Sequence, residues 1–444
     1  MKSIWTQTTK IPGRNPLPGN KKTEVAVIGA GLFGILAAHY LKEQGKEVIV
    51  LEANRIGSGQ SGYTTAKITS QHNLIYQKLV NTMGEKHAAA YAMANQQAIR
   101  DYEKLIDRYR IACHFEKKDA YLFSVNESEI LRQEADCAAR CGIPASFVRE
   151  TELPFPVHGA VRFADQAQFH PLEFIEALSG DLTVYERTNV REVKGHEIIT
   201  NRGVVKADHI VFACHFPFVN IPGFYFLRMY QEKSYVMALG PVKELEGMYL
   251  GIDKNSYSFR SAGDTLLLGH GSHRTGKCPK KNPYEEMRRL REHFYQDTEE
   301  YGRWSAEDCM SVDSVPYIGH FSGVLADWYV ATGFGKWGMT TSMAAARMVT
   351  AQIMGRRTPY DEVFTPQRFR PKAAASTFLS HAGYSAAGLM SGAMPKVPRC
   401  PHLGCRLVYN RMDGRYECPC HGSQFEQNGK ICVGPAQESL PFIN

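Results

Sequence analysis

Val25-Ala26-Val27-Ile28-Gly29-Ala30-Gly31-Leu32-Phe33-Gly34 is the stretch on which the fold turns. An apolar run leads into a G-x-G-x-x-G, and helical apolar spacing then continues through residue 44 until Gly45 ends it. Residues 47–52 (EVIVLE) read as a second strand. Strand, glycine turn, helix and strand make a βαβ unit. Gly29 permits the tight turn, Gly31 lets the backbone approach a pyrophosphate, and Gly34 lets helix and strand pack closely. The pyrophosphate would rest on the helix N-terminus beside Leu32 and Phe33, where unpaired N–H groups and the helix dipole favour an anion. Glu52, followed by Ala53, closes the second strand, placed to accept hydrogen bonds from ribose hydroxyls. The unit predicts a bound dinucleotide without separating NAD from FAD.

Two further segments favour FAD. Residues 57–70 (GSGQSGYTTAKITS) are rich in small and hydroxyl residues, as a loop wrapping a cofactor would be, and offer Thr64, Thr65, Ala66 and Lys67 as contacts. Residues 332–340 (TGFGKWGMT) join a strand to a helix through Gly333, Gly335 and Trp337. They would place the N–H groups of Gly338, Met339 and Thr340 at the flavin edge where negative charge develops on reduction.

The chain resembles the D-amino acid oxidase and glycine oxidase family of FAD enzymes. VAVIGAGLFG with Glu52, DSVPYIG at 313–319 and TGFGKWGMTTSMAAARM at 332–348 match in order, and the similarity spans 25–354. It implies an α/β, Rossmann-like FAD-binding domain split over 1–74, 155–218 and 305–364. An α+β substrate domain with an antiparallel sheet, 75–154 and 219–304, would be inserted between the pieces. It also implies that Val190 meets the adenine through its backbone and that Ala213 and Cys214 lie near the cofactor. Family members oxidise a C–N bond by hydride transfer to flavin N5. The sequence departs from the family where amino-acid-oxidising relatives carry a carboxylate-binding arginine upstream of the DSVPYIG match. Here 303–308 reads RWSAED, in which Arg303 could serve, while Trp304 and Asp308 suit an amine or cationic substrate as well. Lys67, His270, His273 and Arg274 are the other candidates for the substrate pocket, Lys67 near flavin N5. His170 is expected to cap the following helix and Cys214 to be a core thiol.

The C-terminus carries a second signal. Five of eleven cysteines crowd between Cys400 and Cys432. CPHLGC begins at Cys400 and CPCHGS at Cys418, which gives C-x-H, fifteen intervening residues, then C-x-x-H. Such a cluster points to metal or redox chemistry, and zinc is bound at similar spacings. The pattern resembles the Rieske motif. That resemblance implies that Cys400 and Cys418 hold one iron of a 2Fe-2S cluster, while His402 and His421 hold the outer iron and face an electron partner. It further implies a disulfide between Cys405 and Cys420 and a covering segment at Gly434-Pro435-Ala436. Residues 381–399 show no strand alternation, so a short all-β module at 399–444 is expected to follow a connector at 365–398 and to dock on the body.

At 444 residues the chain exceeds one core, and two or three domains are expected. The charge of +7 is spread thinly, with no basic module that would read nucleic acid. No apolar run reaches the ~18 residues of a membrane span, and the N-terminus lacks the apolar core of a secretory signal, so the cytoplasm is the expected compartment. The expected function is an FAD dehydrogenase of a small amine or amino-acid-like substrate that passes electrons through the cluster to an external acceptor. An oxidase using oxygen directly, and an electron-transfer protein charged by an external reductant, remain alternatives.

Overall fold

The computed structural model describes residues 2–370, 373–374, 377, 383 and 398–441. Its first sheet is built around Lys21–Ile28, which pairs in parallel with Val48–Leu51 on one side and Val204–Phe212 on the other. Val25, Ala26 and Val27 are fully buried, the state that an apolar strand inside a parallel sheet requires. Thr183–Tyr185 extends one edge, while Leu325–Thr332 joins Val204–Phe212 in parallel and Tyr317–Ser322 antiparallel. Helices Leu32–Glu43 and Gly338–Ile353 pack together against this sheet. The sequence of residues 182–200 reads as a meander of three short strands, 182–187, 190–193 and 198–200, but only Val190–Lys194 and Glu197–Thr200 pair with each other. Thr183–Tyr185 instead continues the parallel register beside Ile49, Val50 and Leu51 at the opposite edge.

The second sheet has eight strands, with Met229–Gly240 between Glu299–Ser311 and Thr265–Arg274. It is antiparallel except where Asp119–Ser124 runs beside Gly247–Gly251. Gly159–Phe163 and the whole of Glu299–Ser311 belong to it, so boundaries at 155 and 305 cut it in the wrong places. Residues 285–301 read as helix in the sequence; the helix is Pro283–Phe294, started by the Asn282 cap on Tyr284 N, and the chain has become a strand by Glu299. Residues 74–109 read as one long helix in the sequence but form two, Tyr76–Met83 and Glu85–Tyr109, broken at Gly84 with φ +80°. His170 caps Pro171–Ser179, accepting from Glu173 N at 3.3 Å. Among the described residues no helix is long and apolar enough to cross a membrane.

A four-stranded sheet of Val408–Asn410, Arg415–Glu417, Gln424–Phe425 and Ile431–Val433 forms the C-terminal module. Its buried apolar cluster is Leu407, Phe425, Ala436, Leu440 and four cysteines. So small a core cannot hold the module alone, and polar bonds tie it to the second sheet. Fully buried Lys233 reaches Asp413 and Glu417 of the module and lies 3.2 Å from Glu307. Gln231 donates to His421 O at 2.9 Å, Arg274 to Pro419 O at 3.2 Å, and Gly276 N to Glu417 at 3.0 Å. Most of the connector expected at 365–398 lies outside the described residues.

Candidate active site and cluster loops

A cavity of about 920 Å³ runs between the two sheets and reaches the module. At the glycine turn there is no room for a side chain. A Cβ on Gly29 (φ +113°) would stand 2.5 Å from Ala213 O, and one on Gly34 would stand 2.0 Å from Gly29 O. Helix Leu32–Glu43 begins at Gly31 with no side-chain cap, and Gly31, Leu32 and Phe33 line the cavity. Helix Gly338–Ile353 is likewise uncapped by a side chain, with Gly338 and Met339 on the cavity wall. Glu52 accepts from Ala30 N and Asn54 N, both at 2.8 Å, and burial pushes its pKa up. Two helix N-termini and a carboxylate on one cavity fit a dinucleotide's pyrophosphate, its electron-accepting ring edge and its ribose.

Ala53, Thr64, Thr65, Lys67, Val190, Ala213, Cys214, Gly333, Gly335 and Trp337 share this cavity, whereas Gly34, Ala66 and Thr340 stand behind its wall. Gly34 serves the helix–strand contact, and Thr340 donates to Thr69 O at 2.9 Å. Burial pushes the Cys214 thiol up to about 12, as befits a packed thiol.

Lys67 donates to Tyr249 O at 2.8 Å and Ser258 Oγ at 2.7 Å. Burial, helped by the Arg260 charge, brings its pKa down to about 7. A neutral amine has two hydrogens, and two acceptors are provided for them. His270 is on the wall, but its nitrogens are engaged by Ser256 O and Glu286, each at 3.1 Å, so it presents a ring stacked on Tyr257. His273 stacks on Tyr235 away from the wall.

Three more expected pocket residues are off the wall, Arg274, Trp304 and Arg303. Arg274 holds the module through Pro419 O and Cys420 O. Trp304 is fully buried on the core side of Glu299–Ser311, donating to Tyr63 O at 2.8 Å. Strand alternation explains Trp304, because residues 299–308 are an extended chain and not a pocket loop, whereas Arg274 ends Thr265–Arg274 against the docked module. Arg303 points the other way, over the Tyr284 ring and toward Glu300. Among the described residues no arginine lines the cavity. Asp308 does, as do Glu232 and Glu307, with Lys336 held between Asp308 (2.8 Å) and Glu232 (3.4 Å).

In the module, Cys405 and Cys420 form a disulfide. Cys418 has its sulfur within 4.8 Å of both, but their sulfurs are committed to each other, which leaves Cys400 and Cys418 as buried thiol donors. His402 and His421 have ring centroids 5.0 Å apart. His402 Nε2 meets Asn220 Oδ1 at 2.9 Å, which leaves its buried, unpartnered Nδ1 as a ligand atom. Two thiols and two imidazoles are the donor set of a Rieske centre. His421 Nε2 donates to Phe226 O at 3.0 Å, so its ring is turned to the chain's own body. Its centroid lies 5.8 Å from that of Phe216, which is 3% exposed and lines the cavity. Sequence reading missed Phe216, Asn220 and Phe226. The only signal was the apolar run at 220–227 (NIPGFYFL), longer than a surface loop needs. It also missed that residues 430–437 of the module wall the cavity.

The model of the family "FAD dependent oxidoreductase" (DAO) matches residues 24–352, and that of the "Rieske [2Fe-2S] domain" matches 396–444. YhfW of Bacillus subtilis (strain 168), which carries the name of a Rieske 2Fe-2S iron-sulfur protein, is 32% identical over 100% of this chain and 97% of its own. The cytochrome b6-f complex iron-sulfur subunit 2 of Cyanophora paradoxa is 51% identical over 45 residues, 10% of this chain and 19% of its own. The crystal structure of L-proline dehydrogenase from P. horikoshii superposes with a TM-score of 0.66 at 20% identity, covering 80% of this chain and 98% of that one.

Proposed function

Because the chain belongs to the FAD-dependent oxidoreductase family and ends in a Rieske [2Fe-2S] domain, we propose that it is a dehydrogenase of a small amine or amino-acid-like substrate whose electrons leave through the cluster. It is an oxidoreductase that binds FAD and a 2Fe-2S cluster. FAD supplies hydride acceptance at N5 and release of electrons singly, and the cluster carries them one at a time. In this reading the discontinuous FAD-binding domain supplies Gly29, Gly31, Glu52 and the Gly338 helix end to hold FAD. Cys400 and Cys418 take one iron, His402 and His421 the other.

The observation that carries the proposal is Phe216, which touches both the cavity and His421. Lys67, brought down to about 7 and so neutral in an increasing fraction as pH rises past it, would take the proton from a substrate ammonium at Nζ and present a neutral amine for oxidation. Among the described residues no arginine lines the cavity, which supports an amine over a free carboxylate, while the lining carboxylates Glu232, Asp308 and Glu307 are already paired with Lys336 and Lys233. The reading places the enzyme in the cytoplasm with an external acceptor.

The test is anaerobic titration of the holoenzyme with straight-chain and cyclic amines and amino acids, followed by absorption and low-temperature EPR. Flavin bleaching followed by the signal of a reduced cluster is expected. Stoichiometric peroxide release in air with the cluster left oxidised would make it an oxidase. Bleaching by a reduced carrier but by no amine would make it an electron-transfer protein.

A further inference from the structure

Two buried side-chain atoms on the cavity wall have no hydrogen-bond partner among the described residues, His215 Nε2 and Gln71 Nε2. His215 precedes Phe216, whose ring abuts His421, so it stands on the cluster side. Gln71 follows Lys67 on one short segment and is 2% exposed. A buried amide N–H without an acceptor is costly, and it persists where a bound molecule supplies the acceptor.

The chain fixes Gln71 from both sides. Ser70 N donates to Gln166 Oε1 at 2.6 Å, and Ser70 Oγ accepts from Gln96 Nε2 at 3.0 Å. His72 Nε2 donates to Thr69 O at 2.8 Å, and its Nδ1 accepts from the Tyr91 hydroxyl at 2.6 Å. The His72 ring stacks on that of Trp337, with centroids 4.8 Å apart and planes 14° from parallel, and Trp337 is itself on the wall. Thr69 Oγ1 donates to Gln71 O at 3.0 Å. With both neighbours tied and water shut out, the amide has the cavity to turn to.

The charges on the wall narrow what it meets there. Among the described residues no arginine lines the cavity. Of the lining lysines, Lys336 is paired with Asp308 and Glu232, Lys430 is exposed, and Lys67 spends its hydrogens on Tyr249 O and Ser258 Oγ. A carboxylate beside Gln71 would lose its water for one neutral N–H, which does not offset the lost hydration. A neutral oxygen is far cheaper to desolvate, and one N–H satisfies it.

We propose that Gln71 is the specificity-determining residue of the amine site. Its Nε2 donates to a neutral oxygen of the substrate, which is an amine bearing an amide or hydroxyl group rather than a free amino acid. The proposal rests on the reading of the chain as an amine dehydrogenase. Lys67 and Gln71 lie on one tied segment, so the nitrogen that reacts and the oxygen that identifies the substrate are held by the same piece of chain. An amine without that oxygen leaves the amide unpaired and is discriminated against for that reason.

The experiment measures binding without turnover. Amines whose carbon beside the nitrogen carries no hydrogen can give no hydride, and their binding to the holoenzyme is read from the absorption of oxidised flavin. The probes are α-aminoisobutyramide and homologues with the amide farther from the nitrogen, the amines of the same shape with isopropyl in place of the amide, and the matching acids. At least one amide is expected to bind about tenfold or more tighter than its isopropyl analogue and than its acid. Gln71→Met should bring that amide down to the level of its isopropyl analogue, with FAD bound as tightly as in the wild type. Where that variant fails to fold, the wild-type ranking decides. Equal binding of amides and isopropyl analogues by the wild type would overturn the proposal, as would tightest binding by an acid or no spectral change with any probe. So would weaker FAD binding by folded Gln71→Met, since the amide would then serve the cofactor. Because no probe is oxidised, bleaching of the flavin by other amines is a separate result, and the two readings fail separately.

Discussion

Lys67 has two acceptors for its hydrogens and a pKa near 7, and this pair of facts has a kinetic signature. Burial disfavours the ammonium, so the neutral amine gains ground as pH rises through about 7. With a saturating substrate, turnover of the wild type should rise across that interval, and Lys67→Met should lose the rise along with ~10²-fold or more in rate, read from flavin reduction in stopped flow. Phe216 makes a second prediction at this scale. Phe216→Leu keeps the apolar volume but removes the ring beside His421, so flavin reduction by substrate should be unchanged while reduction of the cluster slows. Rapid-freeze EPR checks it, and an unchanged cluster rate would remove Phe216 from the route.

Among the elements, the glycine turn is the least forgiving. Gly34→Ala places a methyl 2.0 Å from Gly29 O, inside any contact distance, and Ala213 blocks retreat. Loss of FAD retention on gel filtration is expected, with a drop in melting temperature. This turn was fully legible from sequence because glycine spacing, strand and helix are all local. The Gly84 break and the change from helix to strand between Phe294 and Glu299 were not. Residues 295–301 (YQDTEEY) carry no apolar alternation that announces a strand, and only their pairing with residues 239–240 of Met229–Gly240, far away in sequence, makes the last of them one. The misplacement of Trp304 and Arg274 follows from that one error and from the hidden docking of the module. A pocket residue and a residue supporting a partner surface look the same in one sequence. The four cluster-loop residues needed no such knowledge, because their spacing is short and their chemistry specific.

Across the whole molecule, the module and body are joined by buried charge. Burial opposes the Lys233 ammonium, yet Glu307, Glu417 and Asp413 together hold its pKa well above the usual lysine value. Removing the cation in Lys233→Met would leave these carboxylates unpaired at a cost of about 3–5 kcal/mol, and the module should detach, exposing residues 398–441 to hydrogen exchange. Glu307 goes the other way. Burial lifts it from 4.5 to about 7, against the pull of Lys233. A raised folded-state pKa means that the docked form binds the extra proton. Its contribution is complete below pH 4.5 and is lost as pH rises through about 7. Exchange protection of the module should therefore fall between pH 6 and 8, and Glu307→Gln should abolish that dependence.

The module's scant apolar core has a consequence for how the protein is made. Half of that core is cysteine, two of them joined in the disulfide and two the thiols proposed to take iron. During synthesis the body emerges first and can fold around Lys233 and Arg274 before the last residues leave the ribosome. The C-terminal segment then has a ready-made mould, and in the proposed reading cluster assembly there would be the last step of maturation, following the folding of everything upstream.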